Sequence, residues 1–424
     1  MEPSYRERHV DVELSDLLSG LPAVSLDGPK GVGKTATALR RAASVLRLDL
    51  PRDRELVEAD PAAALGSTGP VLIDEWQQWP PIWDEVRRAV DAGAAAGSYL
   101  LTGSATPTRR IHSGAGRIVP IRMRPMTLAE RGFSTPTVSL AAVMAGGAEI
   151  TGSTAVTLQD YVEEILRSGF PGIRGTTSGR AIRAQLDGYL ERLFDHELAE
   201  NGFVVRRPAS LRAWLTAYAA SSSTSTSYEK VRDAATGGIS DKPTKVTTSV
   251  YRDVLQRLWI LDPLEAWLPG NNHLSRLASG PKHHLADPAL AARLLGLTAE
   301  HLVGARSAVD PQPRDGTMLG QLFESLVTLD VRVFAQTMEA RTGHLRTQGG
   351  EHEVDLIVSG PAGRVVAIEV KVTAAPTDAD VRHLRWLKRE LGDDLVDAMI
   401  ITTGPYAYRR ADGIAVVPAA LLGP

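Results

Sequence analysis

From residue 22 onward, short apolar runs alternate with stretches in which apolar positions recur every three to four residues. Ala23-Val24-Ser25-Leu26, Val71-Leu72-Ile73, Ser98-Tyr99-Leu100-Leu101 and Ile118-Val119-Pro120-Ile121 are too short for helices and predict buried strands. Lys34 to Leu46 and Trp83 to Ala92 carry the helical period. That alternation predicts an α/β fold, a parallel sheet with helices on both faces. Helical patterns follow at Gln159 to Arg167 and Ala181 to Glu200, separated by a Gly169-Phe170-Pro171-Gly172 turn. Leu211 to Ala220, Tyr228 to Ala235 and Val246 to Trp259 predict three short helices. The last hundred residues predict helix (Met318 to Ala335), three strands (His344 to Gln348, Glu353 to Val358, Val365 to Val372), helix (Asp378 to Leu391) and strand (Ala398 to Thr402).

Two tracts lack either period. Ser134 to Thr157, rich in Gly, Ser, Thr and Pro, is expected to be an exit linker, and Ser221 to Ser227 a loop. At 424 residues the chain holds about two to four domains. Its 43% hydrophobic and 23% charged content excludes a disordered or fibrous protein. No run approaches the roughly 18 apolar residues of a spanning helix, and the charged start Met1-Glu2-Pro3-Ser4-Tyr5-Arg6 is unlike a signal peptide, so a cytoplasmic protein is expected.

The absence of cysteine excludes disulfides, Cys-ligated zinc, iron–sulfur clusters and thiol nucleophiles. Chemistry is left to carboxylates, Lys, His, hydroxyls or an oxygen-liganded metal. Only eight of the 47 basic residues are Lys, so a Lys at a motif position stands out. The net charge of -3 hides a local excess, since residues 206 to 260 hold nine basic and four acidic side chains. This is a candidate polyanion footprint.

Gly28-Pro29-Lys30-Gly31-Val32-Gly33-Lys34-Thr35 follows the first strand and opens a helix, matching G-x-x-x-x-G-K-T in the context that motif requires. Glycines let backbone N–H groups curl around anionic oxygens, while Lys34 reaches the β- and γ-phosphates and Thr35 ligates Mg²⁺. Some forty residues on, Val71-Leu72-Ile73-Asp74-Glu75 ends an apolar strand in two carboxylates, placing Asp74 by the Mg²⁺ shell and Glu75 where it polarises a water. The next strand ends Leu101-Thr102-Gly103-Ser104, with hydroxyls that either sense the γ-phosphate or close a polar turn.

Residues 20 to 135 resemble an AAA-type P-loop ATPase. In that resemblance Gly28 to Thr35 is Walker A, Val71 to Glu75 Walker B, and Thr102 or Ser104 sensor 1. It implies ATP and Mg²⁺ as cofactors. It also places an arginine finger at Arg117, with Arg109 and Arg110 as competitors, and hence implies a homo-oligomer. Adding Trp76-Gln77, Ala105, Arg124-Pro125-Met126-Thr127-Leu128-Ala129-Glu130, Ser168-Gly169-Phe170-Pro171 and Pro281-Lys282-His283-His284-Leu285-Ala286-Asp287-Pro288 makes nearly the whole chain similar to a group of prokaryotic ATPases. In that group an AAA domain is fused to a C-terminal domain of unknown function.

The three central helices resemble a winged helix-turn-helix whose third helix enters a DNA major groove, with Lys242, Lys245, Arg252 and Arg257 as phosphate contacts; the alternative is a protein-packing module. Toward the end, Glu324, Asp355, Glu369 and Lys371 form a set in which period-two geometry puts Glu369 and Lys371 on one strand face. Converging carboxylates hold Mg²⁺ or Mn²⁺, and a Lys activates water. The pattern resembles the PD-(D/E)XK restriction-endonuclease-like fold, with Val354 in place of the leading Pro.

The expected organisation is therefore an AAA-type ATPase at 1–135, a helical linker or lid at 136–205, a winged-helix-like region at 206–300 and a nuclease-like α/β domain at 310–424. The expected function is ATP-controlled action on DNA with metal-dependent cleavage, the alternative being an ATP-gated regulatory or scaffold protein whose C-terminal domain binds partners.

Overall fold

The structure, a computed structural model, describes residues 5–66, 69–104, 115–200, 203, 207–236, 243–267, 280–303 and 316–424. Five strands, β1 (Ala23–Asp27), β2 (Ser44–Arg47), β3 (Val71–Asp74), β4 (Tyr99–Gly103) and β5 (Val119–Arg122), form a sheet in the order β2-β3-β4-β1-β5. Each pairing is parallel. Strand β1 is therefore flanked by β4 and β5, and all five C-terminal ends open on one edge, where ligands of open α/β sheets bind. One difference from the periodicity is local. The run expected as one helix from Lys34 to Leu46 is a helix only over Lys34–Leu39 and then turns into β2. Val45 and Leu46 fit a helical period by coincidence, and pairing with β3 decides their state.

A second sheet of seven strands contains β7 (Gly152–Ser153), β8 (Arg341–Arg346), β9 (Glu353–Ser359), β10 (Val365–Lys371), β11 (Leu395–Thr402), β12 (Tyr406–Arg409) and β13 (Ala415–Pro418), in the order β7-β12-β13-β11-β10-β9-β8. Two further short strands, β6 (Val138–Ser139) and β14 (Leu422–Gly423), pair with each other. The tract expected as an exit linker thus supplies β6, β7 and helix Leu140–Ala145, and is knit to the last twenty residues of the chain. Two-residue strands leave no period to read, so only their distant partners reveal them.

The three central helices form as expected, at Pro208–Ala220, Tyr228–Ala234 and Lys245–Arg257. After them the chain makes a two-armed hairpin, residues 260–267 and 280–286, joined by bridges Leu261–Leu285 and Leu264–Lys282. A further bridge, Ala266–His344, sets the outer arm on β8 at the edge of the second sheet. Helix Gly316–Thr337 runs through the middle of the molecule, and its Leu322, Phe323, Leu326, Val331 and Phe334 lie in one continuous core with Leu14, Val24, Leu26, Tyr161, Trp214, Leu356 and Ile368. With 22 residues it is a rod of roughly 33 Å.

Candidate functional site: a nucleotide cleft and an acid cluster

The loop Gly28–Thr35 lies at the open edge of the first sheet, between β1 and helix Lys34–Leu39. Gly28 has no alternative here, because a Cβ would sit 2.3 Å from the Met123 carbonyl. Gly33 adopts φ +106°, in the left-handed region that glycine tolerates. Pro29, Gly31 and Val32 complete the curl; Val32 is buried, and its carbonyl accepts from Arg8 Nη1 at 3.0 Å. Lys34 is buried and donates through Nζ to the carbonyls of Gly28 (2.8 Å) and Pro29 (3.0 Å). Desolvation pulls its ammonium down to about 8, with Glu75, Asp27 and Asp74 pulling it back up. A polyphosphate placed there supplies the negative charge that the buried lysine lacks.

Asp74, at the end of β3, accepts from Thr35 Oγ1 (2.8 Å) and Thr102 Oγ1 (2.5 Å), both on Oδ1. Three residues read separately from the sequence therefore meet at one oxygen. A hydroxyl and a carboxylate so placed fit the Mg²⁺ that accompanies ATP, which supplies charge neutralisation when bound. Glu75 sits at φ 54°, an uncommon conformation for a non-glycine residue and one that clusters at functional sites. Gln77 Nε2 donates to its Oε2, and Gln77 also donates to Ser104 Oγ at 3.2 Å. Ser104 Oγ lies 3.4 Å from the same Glu75 oxygen. Burial raises the Glu75 carboxyl above the usual range, as a water-polarising base requires.

Sequence reasoning missed the other wall of this cleft. A cavity of about 210 Å³ beside Lys30, Gly31 and Ser104 is lined by Tyr189, Arg192, Leu193, Glu197, Leu258 and Ile260 from the helical middle. Lys30 Nζ reaches Glu197 Oε1 at 2.5 Å, and Tyr189 OH donates to the Lys30 carbonyl at 3.3 Å. Arg122 was missed as well. It ends β5 in register with Asp27, is half-buried, with desolvation lowering its guanidinium to about 9, and stacks 3.8 Å from the Trp259 ring centre. An Arg closing an apolar strand carried no motif.

Arg117 lies elsewhere. It precedes β5, at the opposite edge of the sheet from the phosphate loop, and pairs with Asp91 at 2.9 Å on the surface. Its own nucleotide is out of reach, so a finger role needs a neighbouring copy. Arg109 and Arg110 fall outside the described residues.

Residues 21–131 match an AAA domain, 158–301 a domain of unknown function (DUF8612) and 319–422 a second domain of unknown function (DUF4143). The N-terminal part of the chain is thus similar to AAA domains and has the phosphate loop of a P-loop ATPase. Over 426 aligned positions the chain is 25% identical to the uncharacterized proteins Mb2031c of Mycobacterium bovis and Rv2008c of Mycobacterium tuberculosis, covering 97% of this chain and 83% of each relative. A solved Walker-type ATPase of Pyrococcus abyssi, PABY2304, superposes with a TM-score of 0.40 at 16% identity, over 68% of this chain and 96% of that one.

The segments Ser168–Pro171 and Pro281–Pro288, far apart in sequence, also meet. Fully buried Asp287 accepts from Ser168 Oγ (2.8 Å) and the Gly169 amide (2.6 Å). Of the proposed DNA contacts, Lys242 is outside the described residues. Lys245 pairs with Glu229 at 2.9 Å, Arg252 lies over Tyr228, and Arg257 over Phe203.

The C-terminal set does converge. Asp355 on β9 accepts from the Val370 amide at 3.0 Å, and Lys371 Nζ lies 2.7 Å from Glu369 Oε2 and 3.4 Å from Asp355 Oδ2. A fifth member was not read from the sequence as part of this set. Lys282, 1% exposed, comes from the inner arm of the hairpin and places Nζ 2.8 Å from Glu324, 2.9 Å from Asp355 and 3.3 Å from Glu353. The Lys282 and Lys371 charges hold Asp355 well below the usual carboxylate range, while burial and the neighbouring Asp355 raise Glu324 to about 8 and push Glu369 upward. Among the described residues no group of three or more acids or histidines is arranged to hold a metal ion. The acids implied by the nuclease resemblance are together, but the Lys282 ammonium stands between Glu324 and Asp355, and Glu369 pairs with Lys371, a set of partners that does not fit a divalent cation.

Proposed function

We propose that the chain is an ATP-hydrolysing switch in which the nucleotide cleft controls the position of the hairpin at 260–267 and 280–286. The observation that carries this reading is the junction at Asp262, on the hairpin. Arg124 Nε from the ATPase domain (2.8 Å) and Arg332 Nη2 from helix Gly316–Thr337 (3.0 Å) grip its two oxygens. Gln336 on the same helix donates to the Arg122 carbonyl at 2.9 Å. Nucleotide arriving beside Arg122 therefore meets groups already engaged with both other parts of the chain. In this reading Thr35 and Asp74 hold Mg²⁺, Lys34 holds phosphate and Glu75 orients the water. Hydrogen exchange on the Glu75→Gln protein tests it. Adding ATP should change protection in the hairpin, and Lys34→Ala should abolish the change; an ATP effect confined to residues 28–35 would defeat the switch.

A second reading, action on DNA, is favoured by helix Lys245–Arg257, which leaves Val246 75% and Val250 49% exposed beside Lys245. Apolar contacts and cations on one helix face suit a major groove. Neutralising Lys242, Lys245, Arg252 and Arg257 together should lower the log–log salt slope of DNA binding by about 0.9 per lost phosphate contact. An unchanged slope would assign the helix to protein packing. A homo-oligomer in which Arg117 serves a neighbour's nucleotide belongs to this reading. Light scattering with and without ATP checks it.

A further inference from the structure

We infer that Lys282 is the resident cation of the C-terminal acid cluster, carried there by the hairpin, and that it closes the cluster to divalent metal ions. Three carboxylates from two elements converge on its single ammonium group: Glu324 from helix Gly316–Thr337, and Glu353 and Asp355 from β9. Its three N–H donors match three acceptors at 2.8, 2.9 and 3.3 Å. A divalent ion bridging the same oxygens would need the volume Lys282 Nζ fills, and would stand against a full positive charge.

Lys282 is buried, unlike a surface lysine, and its backbone is paired on both sides. Its amide donates to the Leu264 carbonyl and its carbonyl accepts from the Leu264 amide, both at 2.9 Å. The arms are fixed to the sheet by His344, whose amide donates to Glu265 at 3.0 Å, whose carbonyl accepts from the Trp267 amide, and whose Nε2 lies 3.0 Å from the Gly280 carbonyl. Carrying the backbone of Lys282 away from the acid cluster therefore requires the hairpin to leave β8.

The balance of groups supports the same conclusion. Lys371 neutralises Glu369 at 2.7 Å and leans on Asp355, so it leaves Glu324 and the second Asp355 oxygen to Lys282. Remove the lysine charge and these oxygens face one another in a buried space, where a divalent cation is the natural replacement. This inference stands apart from the switch reading, because it concerns a cluster that contacts no nucleotide group.

The test is an Mn²⁺ titration of nucleotide-free full-length protein, followed by electron paramagnetic resonance, with Asp355→Ala as the blank for sites elsewhere. Wild type should show no Asp355-dependent Mn²⁺ binding at millimolar ion, whereas Lys282→Gln should gain one such site per chain. An Asp355-dependent site in the wild type, or its absence from a folded Lys282→Gln protein, would overturn the inference. Acylation mapped by mass spectrometry guards against a Lys282→Gln chain that does not fold. In the wild type Lys245, 78% exposed, should react quickly and Lys282 should stay protected with or without Mn²⁺. Exposure of Lys282 on adding Mn²⁺ would show that the ion displaces it, against the inference.

Discussion

The guanidinium of Arg122 rests 3.8 Å from the centre of the Trp259 ring, so the last residue of an ATPase strand is seated on the segment that follows the third central helix. A desolvated cation–π contact of this kind contributes roughly 2 kcal/mol. Its Nη1 is buried without a hydrogen-bond partner, and its charge depresses the ammonium of Lys34. Such a group is poised to gain a partner when phosphate arrives.

Arg122→Ala should therefore lower kcat/KM for ATP about tenfold or more, the equivalent of roughly 1.4 kcal/mol. Trp259→Leu keeps the charge but loses its seat and should cost less. Steady-state kinetics decide it, and an Arg122→Ala enzyme indistinguishable from wild type would remove Arg122 from the nucleotide site.

Lys34→Ala should abolish ATP binding, whereas Glu75→Gln should bind ATP and fail to turn it over. In the proposed roles the first residue contacts phosphate, and the second, raised by burial and anchored by Gln77, only orients water. Fluorescent-nucleotide titration beside single-turnover hydrolysis separates the two, and equal loss of binding in both variants contradicts the role assignment.

ATP binding should take up a proton near pH 8. Lys34 titrates at about 8 in the free protein, and a neighbouring polyphosphate favours the ammonium, which raises that value. Affinity should then fall as pH rises above 8, where the free lysine is neutral and binding must supply its proton. Calorimetry in buffers of differing ionisation enthalpy measures the uptake, which should disappear in Lys34→Ala together with binding.

Acid should loosen the contact between hairpin and sheet. Burial, with the nearby Lys282, lowers His344 from 6.5 to about 4, and burial also lowers His284. A group depressed in the folded state stabilises above its unfolded pKa and loses that contribution as pH falls. Denaturant unfolding should accordingly show stability declining from about pH 6.5 toward pH 4, by up to about 3 kcal/mol for His344. His344→Gln should flatten that slope, and an unchanged slope would place the titration elsewhere.

The nucleotide-cleft region was legible because its chemistry is local. A phosphate loop needs glycines and a lysine within eight consecutive residues, and β1, β3 and β4 announce themselves as apolar runs bounded by polar ends. Asp74, Thr35 and Thr102 could be named in advance because parallel strands deliver their C-terminal residues to one edge. The Glu324, Asp355, Glu369 and Lys371 set was legible for a similar reason, since one helix and a hairpin of adjacent strands bring it together.

What only the tertiary structure decided is everything made by long-range pairing. The period within Gly152–Ser153 or Val138–Ser139 is nil, and their strands exist because Tyr406, Ala407, Leu422 and Gly423 lie alongside. Arg122, Glu197 and Trp259 acquire their places from packing between parts of the chain that share no motif. Lys282 is the sharpest case. The sequence shows a lysine among histidines, and only the hairpin's seat on β8 puts its charge among three carboxylates, because a buried ammonium is tolerated only where the fold supplies acceptors.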